Sequence, residues 1–239
     1  ALDGHGNEAA VLATAGNFNN DIGLPLTLLK LRSTHSAAVI EMGMNHVGEI
    51  DYLTRLTRPT VAMVTNAHRA HLAGLGSIQN VALAKGEIFA GLDEEGIAVF
   101  NADDAHAELW QNLAGKTLRL TFGMKQVADV QGEFMAHGLG GMMHLHTPWG
   151  SVDIQLQVPG AHNAMNACAA AAATLATGVS LNAVEDGLSG FRGVKGRLQL
   201  CAGLNGARVI DDTYNANPDS MRAAIDVLAD LPGPRLLVL

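Results

Sequence analysis

Residues 61–89 read VAMVTNAHRAHLAGLGSIQNVALAKGEIF. Val61–Val64 is a short unbroken apolar run, the mark of a strand buried on both faces. Thr65 and Asn66 break it into a polar loop that carries His68, His71, Gly74 and Gly76. Ser77 is of the type that caps a helix start, and Ile78, Val81, Ala82 and Phe89 then share one helical face. Strand, polar loop and helix form the unit that delivers functional groups to the carboxyl end of a parallel sheet. Lys85 is the odd member, a charge set among Val81, Ala82, Ala84 and Ile88. A lysine on a helix flank is ordinarily solvated, and a lone His71 is ordinarily structural, so neither decides anything singly.

The same alternation extends in both directions. Upstream, residues 11–14 read as a strand leading into the loop 15–23, which holds Asn17, Asn19, Asn20 and two glycines. That density of side-chain amides, each able to donate and accept, favours ligand contact over an ordinary turn. Pro25 opens a helix running to Leu31, and residues 37–42 (AAVIEM) read as a second buried strand. Glu41 lies near its carboxyl end, where a carboxylate among apolar neighbours is costly unless paired or bound to a cation. A helix over 47–56 and the strand at 60–65 follow. Downstream come a fourth strand at 97–100, a helix capped within 101–104, and a fifth strand at 118–122. Strands alternating with helices predict an α/β fold: a doubly wound, mostly parallel sheet flanked by helices.

Between about 127 and 158 the pattern changes. Residues 130–135, 142–146 and 152–158 read as three strands without a helix between them, the last two joined by the turn 147–150. A small antiparallel sheet at the side of the main one is expected. His144 and His146 alternate with apolar residues and fall on its wet face, with no role assigned. Asn163 and Asn166 then sit three apart at a helix start, placed either to cap it or to read the edge of a base. The alanine-rich tract 164–176 predicts a buried helix, and a second helix covers 181–188. Arg197 is flanked by Gly193 and Gly196, a hairpin turns around 204–206, a helix starts at Pro218, and residues 235–239 read as a final strand.

Composition narrows the function classes. The 239 residues carry 15 basic and 23 acidic side chains, with no basic run and only 4% aromatics, which argues against a nucleic-acid surface. A nucleotide needs only a few local donors and stays open. The 48% hydrophobic content and mean hydropathy of +0.17 allow a sizeable core. No apolar tract reaches the ~20 residues of a membrane span. Two cysteines, Cys168 and Cys201, do not make a disulfide framework and suit a reducing compartment.

In this order, GNFNNDIGLPLTLL (16–29), VIEMGMNHVGEI (39–50), TNAHRAHLAGLGS (65–77), AKGEIF (84–89), PGAHNAMNACAA (159–170), GVKGRL (193–198) and DDTYNANPDSM (211–221) resemble the Mur ligases. Within that group the chain is similar to the MurF type, which joins D-Ala-D-Ala to UDP-MurNAc-tripeptide at the expense of ATP. The resemblance implies a bacterial cytoplasmic, monomeric enzyme using ATP and Mg2+, with the peptide carboxylate activated as an acyl phosphate. It implies a central ATP-binding domain over 1–232 and the first residues of a carboxy-terminal domain at 233–239. Carried over by position, Glu41, His71 and Lys85 serve the metal, Lys85 as a carbamate. Arg197 reaches the γ-phosphate, Asp212 the ribose, and Asn163 with Asn166 the adenine, while Asn19, Asn20 and Asn45 contact the UDP-sugar peptide. Lys85, His71 and Arg197 are the catalytic candidates. The family's glycine-lysine-threonine/serine phosphate loop is not found upstream of Val11, so the chain by itself is expected to bind ATP poorly and turn over nothing. Ala73 and Leu75 stand where the family more often has glutamate and phenylalanine. The competing readings are a non-catalytic fragment that holds UDP-substrate or nucleoside, another Mur ligase, and a folylpolyglutamate synthetase.

Overall fold

The computed structural model describes residues 10–69 and 72–238. The chain starts with β1 (Val11–Ala13), α1 (Gly23–Leu28), β2 (Ala37–Val39), α2 (Glu49–Thr57), β3 (Val61–Val64), a short α3 (Leu72–Leu75) and α4 (Ile78–Gly86). A 3-10 turn at Glu87–Gly91 leads to β4 (Ile97–Asn101), α5 (Ala107–Ala114) and β5 (Leu118–Gly123). Then come β6 (Val130–His137), β7 (Gly140–Thr147), β8 (Gly150–Leu156), α6 (Ala161–Leu175), α7 (Leu181–Gly190), β9 (Gln199–Ala202), β10 (Arg208–Asp211) and α8 (Pro218–Ala229).

β3, β4 and β5 pair in parallel, and their side-chain alternation decides which layer each residue joins. Ala62, Val64, Ala98 and Phe100 pack with Val81, Ala82 and Trp110 of α4 and α5. Val99, with Val61, Met63 and Ile97, belongs to the opposite core, under Ala164, Ala167 and Ala171 of α6. A strand covered on both faces must be apolar throughout, which is why VAMV and IAVF are unbroken runs. Trp110 is fully buried, and its indole N–H donates to the Ala82 carbonyl at 2.9 Å, locking α5 onto α4.

The expected antiparallel strands at the side are present, and they are hydrogen-bonded to the parallel sheet rather than merely packed on it. β6 meets β5 through two register pairs, Phe122 with Val130 and Gly123 with Gln131, and then β6, β7 and β8 form a meander. One mixed six-stranded sheet results. Met143, Leu145 and Ile154 point into the core beneath α6 and α7. His144 and His146 face outward and bond Asp153 and Ser151, each at 2.7 Å.

Three expectations need correction. β1 and β2 pair with each other in parallel, but no ladder joins them to β3 among the described residues. β2 ends at Val39, itself 59% exposed, so Glu41 lies beyond the strand on an exposed stretch and not in an apolar wall. Residues 235–238 are not a strand: among the described residues no segment pairs with them, and Leu236 and Val238 are more than four-fifths exposed. The hairpin around 204–206 does form, as β9 against β10.

Candidate active site

The loop after β3 is held from three directions. Lys85 Nζ donates to the Asn66 carbonyl at 2.7 Å, the Ala67 N–H donates to Asp104 Oδ2 at 2.8 Å, and Asn101 Nδ2 donates to the Thr65 carbonyl at 3.0 Å. Lys85 therefore turns back from α4 to the carboxyl end of β3. Burial lowers its pKa, and the negative charge of Asp104 opposes that shift. Asp104 is nearly buried, its side chain 7% exposed, and its Oδ1 bonds the His106 ring at 3.0 Å. Next to it, Asp103 accepts from three successive N–H groups, those of Met124, Lys125 and Gln126, at 2.7–3.1 Å.

Glu41 accepts from Asn19 Nδ2 at 2.8 Å, and the Asn19 carbonyl accepts from the Gly43 N–H at 2.8 Å. The asparagine loop after β1 and the segment after β2 are thereby clipped together. Asn20 Oδ1 accepts from the Gly23 N–H at 2.8 Å, a local turn at the head of α1. The Asn45 N–H donates to Glu49 at 2.6 Å, and a Cβ at Gly74 would collide with the Asn45 carbonyl, so the loops after β2 and β3 meet there. His71 lies outside the described residues. Among the described residues no three His, Cys, Asp or Glu side chains gather closely enough to hold a metal ion. Glu41 remains the hard-oxygen donor of the expected set.

The third neighbourhood is a cleft of about 380 Å³ between α6, α7 and the turn at 193–197. Asn163, Asn166 and Arg197 all line it, though 34 residues separate the first from the last. Asn163 Nδ2 donates to the Pro159 carbonyl at 2.8 Å, which leaves its Oδ1 as the acceptor. Gly196 takes φ +70°, the left-handed region a side chain disfavours, and so turns Arg197 outward. Its guanidinium stacks 4.4 Å from the Tyr214 ring centroid. Asp212 accepts from the Leu198 N–H at 3.0 Å, bracing the same turn. His162 is held below its usual pKa by burial, against the pull of Asp212.

The structure thus brings Asn163, Asn166 and Arg197 to one cleft, with Asp212 bonded to the turn beside it, and Lys85 to the loop after β3. Sequence reasoning missed Asn101, Asp103 and Asp104, which it took only as helix caps. Their signal was present: three polar side chains at the carboxyl end of a buried strand.

Residues 4–174 match the Mur ligase middle domain, and residues 196–239 match the Mur ligase glutamate ligase domain. The chain belongs to the Mur ligase family. This Mur ligase is 46% identical over 232 residues to the UDP-N-acetylmuramoyl-tripeptide--D-alanyl-D-alanine ligase of Escherichia coli K12, covering 95% of this chain and 51% of that protein. It superposes on MurF from Acinetobacter baumannii with a TM-score of 0.90 at 40% identity, covering 94% of this chain and 49% of that one. Against MurF from Thermotoga maritima in complex with ADP the TM-score is 0.82 at 26% identity, with 94% and 52% covered. The chain spans about half the length of the relatives it matches. None of its described helices is long and apolar enough to cross a membrane.

Proposed function

We propose that the chain is the nucleotide-handling part of a MurF-type ligase, which joins D-Ala-D-Ala to UDP-MurNAc-tripeptide using ATP. The observation that carries this is the convergence of Asn163, Asn166 and Arg197 on one cleft, braced by Asp212. The Thermotoga maritima relative, solved with ADP, supports a nucleotide in this fold.

In this reading the tripeptide carboxylate attacks the γ-phosphate, ADP leaves, and the dipeptide amine displaces phosphate from the acyl phosphate. Asn163 offers its oxygen to the 6-amino group of adenine, and Asn166 a second amide one turn further. Asp212 is near enough to the turn to receive the ribose hydroxyls. Arg197 is exposed on a glycine-flanked turn, and its planar fork suits the γ-phosphate oxygens once it leaves the Tyr214 ring. When bound, Mg2+ screens the carboxylate and phosphate oxygens as they approach. Glu41 would hold it, together with His71 and a Lys85 converted to the carbamate. Burial around Lys85 raises the share of neutral amine, the form that takes up CO2. Asn19 and Asn45 lie where the loops after β1, β2 and β3 meet, the side we assign to the UDP-sugar peptide. Asn20 serves there by shaping the loop, since its oxygen is committed to Gly23. The substrates imply a cytoplasmic setting, and we take the protein as a monomer. A domain border at 232–233 competes with one near 196, where the second family match starts.

The test is ATP-dependent phosphate release by the full-length protein. It should require both UDP-MurNAc-tripeptide and D-Ala-D-Ala. Release supported by a single amino acid in place of the dipeptide would reassign the chain to a sister ligase. Lys85→Ala should abolish ligation, with partial recovery on adding short carboxylates; full activity of that variant would remove Lys85 from the chemistry.

A further inference from the structure

The nucleotide cleft does not stop at its polar groups. From Asn166 it continues between α6 and α7 past Ala167, Ala170, Ala171 and Thr174, with Gly187 and Leu188 opposite. From Asn163 to Thr174 the path along α6 is about 16 Å at ~1.5 Å per residue, longer than a purine ring. The volume of about 380 Å³ also exceeds what a base fills, and it lies in the range of small-molecule sites. Beyond its two asparagines α6 presents only alanines and Thr174 to the slot, and α7 faces them with Val184, Gly187 and Leu188, so the walls are apolar and the α6 side chains too short to fill the space. Beyond Asn166, Thr174 is the sole polar residue among them.

We infer that this inner chamber is a subsite for a flat apolar group carried on the 6-amino nitrogen of the base, so that N6-aryl purine nucleosides are ligands of this chain. The inference rests on the nucleoside reading of Asn163 and Asn166 given above. Its direction comes from the Asn163 amide. One of the two Nδ2 hydrogens is held by the Pro159 carbonyl, which fixes the plane of the amide, and in this reading Oδ1 accepts a hydrogen from the exocyclic amine. A monosubstituted amine keeps one N–H for that contact. Its substituent then continues along α6 from Asn163 past Asn166, onto the alanine-lined stretch. The base supplies polar recognition at the mouth, and the aryl group removes apolar lining from water further in.

The probes are adenosine and N6-benzyladenosine, titrated calorimetrically into the 239-residue chain, neither of which needs phosphate contacts. The benzyl compound should bind roughly tenfold tighter or better, the gain expected when a benzyl-sized apolar surface is buried. Ala170→Leu and Thr174→Leu each narrow the chamber and should bring the two affinities close to parity. Ala170 is an exposed position, so its variant leaves the core intact, and Thr174→Leu gives the same reading independently. Adenosine binding as tightly as its benzyl derivative would overturn the chamber while leaving the nucleoside site standing. A benzyl gain unchanged in both variants would overturn it too, by placing the group elsewhere. Failure of both nucleosides to bind would remove the nucleoside reading and this inference with it.

Discussion

Asp104 holds the Ala67 N–H with one carboxylate oxygen and His106 with the other, and its charge faces the buried amine of Lys85. An amide in its place can accept at one oxygen only, and its NH2 would confront a donor. Asp104→Asn should therefore lower stability by about 1–3 kcal/mol, the penalty for a buried donor left unpaired. Urea denaturation measures that, and faster exchange of the Ala67 amide locates it; unchanged exchange would show that Lys85 and Asn101 alone fix the loop. Cys168 makes a pH prediction. Burial raises its thiol pKa from 9.0 to about 12. Between those values the native state holds a proton that the unfolded chain has released, so stability falls as pH rises. The loss should be on the order of 1 kcal/mol by pH 10, and Cys168→Ala should remove that part of the alkaline slope. At this scale Lys85 was legible, because a charge inside an apolar helical pattern stands out in any sequence. Glu41 was misread, because AAVIEM looks buried while burial depends on neighbours that lie elsewhere in the chain. Asp104 was hidden for the opposite reason: a helix cap and a long-range acceptor look alike in sequence.

Elements show which local signals survive packing. The 3-10 turn after α4 docks on α2: Thr54 Oγ1 donates to the Ile88 carbonyl at 2.7 Å, and Glu87 accepts from the Gly48 N–H at 2.9 Å. Gly91 closes this contact. A Cβ there would lie 2.7 Å from the Thr54 carbonyl carbon, which is helix backbone and cannot yield. Gly91→Ala should cost about 1–3 kcal/mol as overpacking, read as a lower melting temperature. A neutral result would mean α2 is free to shift. Nothing in GEIFAGLD announced that the helix tightens at 87, since the requirement comes from α2. The three meander strands were legible because period-two alternation is local. Residues 235–238 were misjudged because an apolar run specifies a strand only beside a partner, and none pairs with them among the described residues.

For the whole molecule, the split between β1–β2 and the six-stranded sheet sets where the fold opens first. β4 has four of five residues buried and neighbours on both edges, whereas β2 has none buried. Amides of β1 and β2 should exchange through low-energy local openings, and those of β4 and β5 near the global limit. Native-state hydrogen exchange tests this, and equal protection would make the two sheets one cooperative unit. The layer order and doubly wound character followed from the alternation of strands and helices, but pairing did not, because the ladder of a short strand depends on the chain around it. The loop after β5 is built as a receptor. Three successive N–H groups closing on one point make the concave nest that elsewhere cradles phosphate. In this molecule the nest is its own host and guest, filled by Asp103, so a free anion arriving at that sheet end finds the receptor occupied. Asp103→Ala would vacate it, and the melting temperature should then climb with added inorganic phosphate where the parent's stays flat.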